Sequence, residues 1–376
     1  MIGTHRVVRT DGQGRVCLEV AAAAAERGWR VTLLCDRADE DLASHPAVRF
    51  VRVPAAGLPG QLLRQAAYAR RLTAALPRPA GPDTVVLLNG DIAGGAPSDL
   101  NVAHFVHSAY RRHLRVRGLR SVYHRAYAEQ HARGERTAFA AAWRAVAVSA
   151  RVRDELVQEV GVPEEKVVVI PNGVDLKEFH PLRDGEERPL RELAGCSDDE
   201  LLALFVGDLR SERKGFGTVL QAVAQTPGVR VVAVGGQDGG PFPAMAKRLG
   251  ITDRVVFLGR RDDVPGLMRQ ADVFVFPSAY EPFGLVVTEA LASGVPVVCG
   301  PEVGAAPHAG DGGVMLRGSG DVEGLVAALS GLRDDADERG RRSIAARSAA
   351  EACGWGAMAS AYLELAEAAL EAKQVG

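Results

Sequence analysis

The stretch FVFPSAYEPFGLVVTEALASGVPVV, residues 274–298, decides most of the fold. Val273–Phe276 reads as an apolar strand, Pro277–Pro282 as a loop, a helix is expected from about Phe283, and Val295–Cys299 reads as a second strand. Strand, helix and strand in that order build a parallel β-α-β unit. Glu281 stands just before the helix and Glu289 about two turns inside it, so at ~100° per residue both carboxylates share roughly one face. The amides of Phe283, Gly284 and Leu285 fall at the helix N-terminus, where an anion is favoured. Gly284 lets a ligand approach the backbone closely. Two carboxylates beside an anion site suit a ligand that is half phosphate and half polyol. By spacing alone, two glutamates on a solvated helix face are the plainer reading.

The same alternation extends outward in both directions. Upstream, apolar runs at Arg30–Cys35, Val48–Val53, Thr84–Leu88, Asn101–Val106, Ala145–Val148 and Val167–Ile170 read as strands, with helices clearest at Gly14–Arg27 and Gly60–Leu76. A second series follows at Leu202–Val206, Val229–Val234, Val255–Leu258, Val273–Phe276 and Val295–Cys299. Continuous apolar strands with intervening helices indicate parallel sheets covered on both faces. The fold expected is α/β, with two Rossmann-like domains, residues 1–180 and 181–354, facing a central cleft. The charged interval Pro181–Asp198 reads as the linker. The last helix, Ala357–Leu370, puts Met358, Ala361, Tyr362, Leu365 and Ala369 on one face. Residues 355–376 are expected to cross back to the first domain.

Composition excludes several classes. The 376 residues are 47% hydrophobic and 24% charged with a formal net charge of −2, so the chain is globular and no dedicated nucleic-acid binder. The five cysteines are scattered without metal-ligand spacing, which argues against a disulfide scaffold or a zinc site. No stretch reaches the ~18 apolar residues a membrane span needs, and a cytoplasmic protein is expected.

Arg210 and Lys214 follow the strand Leu202–Val206, where a guanidinium fork and an ammonium suit a diphosphate. Asp11-Gly12-Gln13-Gly14 precedes a helix, but Cys17 occupies the third glycine position of a dinucleotide fingerprint. Gly235 and Gly236 end the strand Val229–Val234, where a nucleoside could approach, and Arg260 and Arg261 are placed to flank a base. His104 and His107 stand at one strand end; Asn89 and Asp91 stand at another, where they could contact an acceptor but a turn role is the plainer reading.

The string E-P-F-G-L-x-x-x-E-A-L-A-S-G-x-P-V-V closely resembles the signature of the retaining glycosyltransferases of family 4, which have the GT-B fold. FVGDLRSERKG (205–215), VIPNGVDLKEFHP (169–181), VAVSARVRDEL (146–156), FLGRRDDVPGLMRQADVFVFPS (257–278) and GWGAMASAYLEL (354–365) extend the resemblance over nearly the whole chain. It implies transfer of a sugar from a nucleotide-diphosphate donor to an acceptor left open, with retention of configuration. Arg210 and Lys214 would clamp the diphosphate, and His107 would touch the transferred sugar. Gly14 would meet donor phosphate or acceptor. With Glu281, those first three would be the catalytic set; Gly14, Gly235, Arg260, Phe283, Gly284, Leu285 and Glu289 would bind the donor. No Asp-x-Asp pair follows a strand, so neither metal nor cofactor is expected. Two departures stand out. An acidic contact of the family is replaced by Val303-Gly304-Ala305-Ala306-Pro307-His308, and the paired glycines of the first-domain loop read Gly-Gln-Gly. Rival readings are a nucleotide-sugar epimerase or phosphorylase on the same fold, or a non-catalytic nucleotide-sugar-binding partner.

Residues 106–136 carry eight arginines (111, 112, 115, 117, 120, 125, 133 and 136) against Glu129 and Glu135. With Tyr110, Tyr123 and Tyr127 interleaved, the segment would suit peripheral contact with an anionic membrane. The plainer reading is a solvated pair of helices.

Overall fold

The computed structural model describes residues 1–55, 57, 60–77, 81–113, 119–183 and 185–375, the side chains of 113, 119–124 and 375 excepted. The chain divides into two compact units, residues 1–173 with 355–376, and residues 174–354. The first change of unit falls at Gly173, upstream of the boundary expected after residue 180.

Unit 1 is built on seven parallel strands: β1 (Ile2–Gly3), β2 (Val31–Cys35), β3 (Val48–Arg52), β4 (Leu87–Asn89), β5 (Ser98–Ala103), β6 (Ala142–Ala147) and β7 (Val167–Val169). Their order across the sheet is β3-β2-β1-β4-β5-β6-β7. The interior strands are mainly apolar because both faces are covered, and Leu33, Leu34, Leu88, Leu100 and Val102 are all buried. The edge strand β3 differs, exposing Arg49 and Arg52, charges that discourage pairing with another chain. β5 starts three residues earlier than its apolar pattern suggests. Ser98 and Asp99 are polar yet buried, and the Asp99 carboxylate accepts from the Val86 amide at 2.7 Å and from Lys373 at 2.8 Å.

Helix α1 (Gly12–Glu26) starts where the Asp11 carboxylate accepts from the Gly14 amide at 2.7 Å, and it buries Val16, Cys17, Val20, Ala21 and Ala24. Helices α2 (Gln61–Ala75) and α3 (Leu119–Ala140) follow in the chain. The C-terminal helix Trp355–Val375 belongs to unit 1 and packs on α1. Its fully buried residues are Met358, Ala359, Tyr362, Leu363, Ala366 and Ala369, a stripe rotated from the expected one, since Ala361 and Leu365 are only half-buried. The Arg15 guanidinium lies 5.5 Å from the Trp355 ring centroid, and a side chain on Gly173 would meet the Trp355 backbone at 2.6 Å.

Unit 2 carries six parallel strands: β8 (Leu201–Val206), β9 (Val229–Val234), β10 (Val255–Gly259), β11 (Val273–Phe276), β12 (Val297–Cys299) and β13 (Gly313–Met315). Their order is β10-β9-β8-β11-β12-β13. Counted within each unit, the first six strands of unit 1 and all six of unit 2 run 3-2-1-4-5-6. This arrangement opens a crevice beyond the carboxyl ends where the order reverses. In unit 2 the reversal lies between β8 and β11, so the loops leaving these two strands face each other. The interval Pro181–Asp198, expected to be a linker, is part of unit 2. It holds a short helix, α4 (Pro189–Leu193), anchored by buried Leu190 and by Arg191, whose Nη1 lies 2.7 Å from Asp272. Five residues are too few to show a helical period.

Gly235 ends β9 at φ +148°, and a Cβ there would sit 1.7 Å from the Gly207 carbonyl oxygen. Gly235→Ala is expected to destabilise unit 2 by about 3 kcal/mol or more. Urea unfolding checks this, and unchanged stability would show that the two strand ends can separate.

Candidate functional site

The two loops at the reversal point of unit 2 are stitched together before any ligand is considered. Gly215 (φ +78°) lies so close to the second loop that a Cβ would fall 1.9 Å from the Pro277 carbonyl oxygen. The Arg213 carbonyl accepts from the Ala279 amide at 2.8 Å and from Ser278 Oγ at 3.2 Å, while Arg213 Nη1 donates to the Tyr280 carbonyl at 3.1 Å. Arg213 therefore ties the two loops together, whereas its neighbour Lys214 turns to Glu281. Lys214 Nζ donates to Glu281 Oε2, the two side chains being 14% and 16% exposed. Lys214 also sits 5.4 Å from the Phe276 ring centroid. Burial pulls the Lys214 ammonium below its ordinary range, and Glu281 opposes that shift.

Arg210 is held as a fork on Asp208, with Nε and Nη2 at 2.7 and 3.0 Å from the two carboxylate oxygens. Arg260 comes to the same place from the end of β10. A Cβ on Gly236 would lie 3.3 Å from Arg260 Nε and 3.9 Å from Arg210 Nε. Two guanidinium groups thus flank a bare stretch of backbone, an arrangement that an anion stabilises. Arg261 is turned away onto Asp263 at 2.6 Å. Gly235, read as a point of nucleoside approach, is required instead by its contact with Gly207.

Helix α5 (Leu285–Ala292) begins two residues later than expected, with Gly284 (φ +98°) as its N-cap. Among the described residues the amides of Phe283, Gly284 and Leu285 have no acceptor. The Phe283 side chain is buried, so only its backbone faces a ligand. Glu289 lies half-buried, with its carbonyl accepting from the Ser293 amide. The divergent segment after β12 closes the site's other side. Gly304 and Ala305 donate to the carbonyls of Glu281 and Phe283 at 2.9 and 2.7 Å. The acid that this segment lacks at 308 has a neighbour in Glu302, whose Oε2 is buried without a partner among the described residues.

In unit 1 the Gly14 amide is taken by Asp11, and a Cβ on Gly14 would meet the Arg6 carbonyl at 2.9 Å. Gly14 therefore serves close packing, and its own amide is not available to a phosphate. His107 opens a short helix. Its amide donates to Glu135 Oε1 at 2.5 Å and its Nδ1 lies 3.0 Å from the same atom. The ring stacks on His131 with centroids 4.3 Å apart. His131 in turn bonds Asp91 through Nδ1 at 2.6 Å and Gln65 through Nε2 at 2.8 Å. Glu135 is 1% exposed and also takes the amide and hydroxyl of Ser108.

Sequence reasoning missed Asp208, Glu135 and the link from His131 to Asp91. Asp208 stands two positions before Arg210, a spacing that can be read locally. The others join residues 28 and 40 positions apart, which no local pattern signals. Of the basic segment, Arg111 and Arg133 pair with Glu129 and Arg112 with Glu159. Arg115 and Arg117 lie outside the described residues, as does the Arg120 side chain. Among the described residues no helix is long and apolar enough to cross a membrane, and no group of three His, Cys, Asp or Glu could hold a metal ion.

Two family models match the chain: Glycosyltransferase Family 4 over residues 10–178 and Glycosyl transferases group 1 over residues 188–349. A D-inositol 3-phosphate glycosyltransferase of Mycobacterium marinum is 36% identical over 198 residues, 50% of this chain and 41% of that protein. The Nocardia farcinica protein of the same name is 32% identical over 253 residues, 63% and 55% of the two chains. The chain thus spans about half the length of the curated relatives it matches. Among solved structures, WaaG, a glycosyltransferase of lipopolysaccharide biosynthesis, superposes with a TM-score of 0.76 at 21% identity, covering 100% of this chain and 99% of that one. Anabaena HepE in complex with UDP and glucose gives 0.74 at 21% identity over 96% and 97%.

Two expectations follow from the geometry. Lys214→Ala leaves the Glu281 carboxylate half-buried and alone, so stability should fall by about 1–3 kcal/mol. The Lys214→Ala/Glu281→Ala double variant should lose less than the sum of the two single variants, which a double-mutant cycle by urea unfolding measures. The second concerns His104, whose imidazole burial pushes down from 6.5 to about 4. Between those values the unfolded chain binds a proton that the folded chain refuses. Stability therefore drops as pH falls through this window and is unaffected by this residue above it. His104→Phe should remove about 2 kcal/mol of the loss between pH 7 and pH 5. An unchanged pH dependence would place the titrating group elsewhere.

Proposed function

The chain belongs to glycosyltransferase family 4, with the GT-B fold, and we propose that it transfers a sugar from a nucleotide-diphosphate donor to an acceptor, retaining anomeric configuration and needing no metal ion. Unit 2 takes the donor. Unit 1 takes the acceptor and supplies His107. The observation that carries the reading is the Lys214–Glu281 pair at the reversal point of the unit 2 sheet, with Arg210 and Arg260 at one side and the open amides of α5 at the other. Cations and amides converge there with carboxylates, as a sugar diphosphate requires. That HepE, a protein of the same fold, holds UDP and glucose supports a nucleotide sugar as the donor class.

In this reading Lys214, Arg210 and Arg260 neutralise the diphosphate as it departs. The amides at the start of α5 bind phosphate oxygens. Glu289 accepts from the ribose hydroxyls and Glu281 from hydroxyls of the transferred sugar. The Glu281 charge is already matched by Lys214, which suits a hydrogen-bonding role better than that of a covalent nucleophile. The acceptor hydroxyl then attacks on the face the diphosphate leaves, and its proton passes to the leaving phosphate.

Lys214→Ala is expected to lower turnover by about 10²-fold or more. Calorimetry with UDP alone separates the glutamates. Glu289→Gln should weaken binding by about tenfold. Glu281→Gln should hold it or tighten it, because Lys214 is then released to the phosphate, while transfer still fails. Equal losses of UDP affinity would refute this division of roles. Full activity in excess chelator is the expected result for a reaction that the side chains drive.

A further inference from the structure

Unit 1 has its own reversal point, between β1 and β4, and a cavity of about 370 Å³ opens there. That volume lies within the range of small-molecule sites. Asn89, Asp91, His104, His107 and His131 are among the residues that line it. Two polar atoms on its wall are orphaned: Asn89 Oδ1 and His104 Nε2 are buried with no partner among the described residues. Asn89 is 7% exposed, and its Nδ2 is committed to Thr4 Oγ1 at 3.0 Å and Cys17 Sγ at 3.3 Å. With Nδ2 donating to Thr4 and Cys17, Oδ1 is left as an unpaired acceptor on a residue of the cavity wall. Buried polar atoms of a native fold are almost always paired, and one left bare beside a cavity points to a ligand.

The charge around the cavity limits what that ligand can be. Among the described residues no lysine or arginine lines it, while Asp91 and Glu135 do. The Glu135 oxygens are occupied by His107 and Ser108, and Asp91 by His131. His104 is held uncharged at neutral pH by its burial. A phosphate here would be desolvated with no cation to receive it. Arginines line the two adjoining hollows instead, Arg6 and Arg64 in one together with Asp11 and Asp36, and Arg70 in the other. We propose that this cavity receives an uncharged, hydroxyl-rich group, the end of the acceptor that is glycosylated, with Asn89 Oδ1 and His104 Nε2 each pairing with a hydroxyl, and that it rejects the same group bearing a phosphate. The inference rests on the reading of unit 1 as the acceptor side. It sets this chain apart from the relatives named for inositol 3-phosphate.

Saturation-transfer magnetic resonance on the full chain tests it, with methyl α-D-glucopyranoside and myo-inositol as neutral probes and glucose 6-phosphate and inositol 1-phosphate as charged ones. A neutral probe should bind, and its phosphate at least about tenfold more weakly. Asn89→Ala and His104→Phe should each weaken the neutral probe by about tenfold while leaving UDP affinity unchanged. If melting shows that Asn89→Ala does not fold, His104→Phe decides alone. Binding of no neutral probe, tighter binding of a phosphorylated one, or full affinity in folded variants overturns the proposal. A chain that binds the neutral probe yet no nucleoside diphosphate supports the cavity assignment and overturns the transferase reading instead.

Discussion

Two loops from non-adjacent positions in the chain touch through their backbones at the carboxyl end of the unit 2 sheet, and they do so because residue 215 has no side chain. A Cβ at Gly215 would overlap the Pro277 carbonyl. Everything chemical in this unit depends on that approach. It sets Lys214 against Glu281 and lets Arg213 tie down residues 278–280. The start of α5 is held from the other side by residues 304 and 305. A parallel sheet delivers loops to one edge but does not specify how close they come; here glycine does.

The Lys214–Glu281 pair shows how a stability problem and a functional one meet. Desolvation disfavours both charges, and each is tolerable only beside the other. In the proposed function a diphosphate that enters this place would offer the ammonium a second anion. The fork of Arg210 on Asp208 works differently. It is largely exposed, contributes little to stability, and fixes the direction of a flexible guanidinium.

Unit 1 uses the same sheet order with the opposite electrostatics. Its reversal point holds histidines, amides and carboxylates whose bonds are made among themselves, with two orphaned atoms left over. Gly134, inside α3, makes this arrangement possible. A Cβ there would strike the Asp91 carboxylate at 2.7 Å, so a residue that weakens the helix is the one that seats Asp91 beneath His131.

Local pattern determined a good deal. Runs of valine and leucine marked nearly every strand because both faces of a parallel sheet are apolar, and the string from Phe274 to Val298 placed Glu281, the helix start and Glu289 in order. The motif placed Lys214 and Glu281 at the same site, though not in contact. Tertiary structure alone decided the rest. It tied Lys214 to Glu281 and turned Arg261 outward. It spent the Gly14 amide on a cap and gave Gly235 to packing. It also buried Ser98 and Asp99 inside a strand, because a lysine 274 residues away satisfies the carboxylate. The division has one physical reason. Periodicity and backbone preference act between neighbours in the chain, whereas charge pairing and close approach act between neighbours in space.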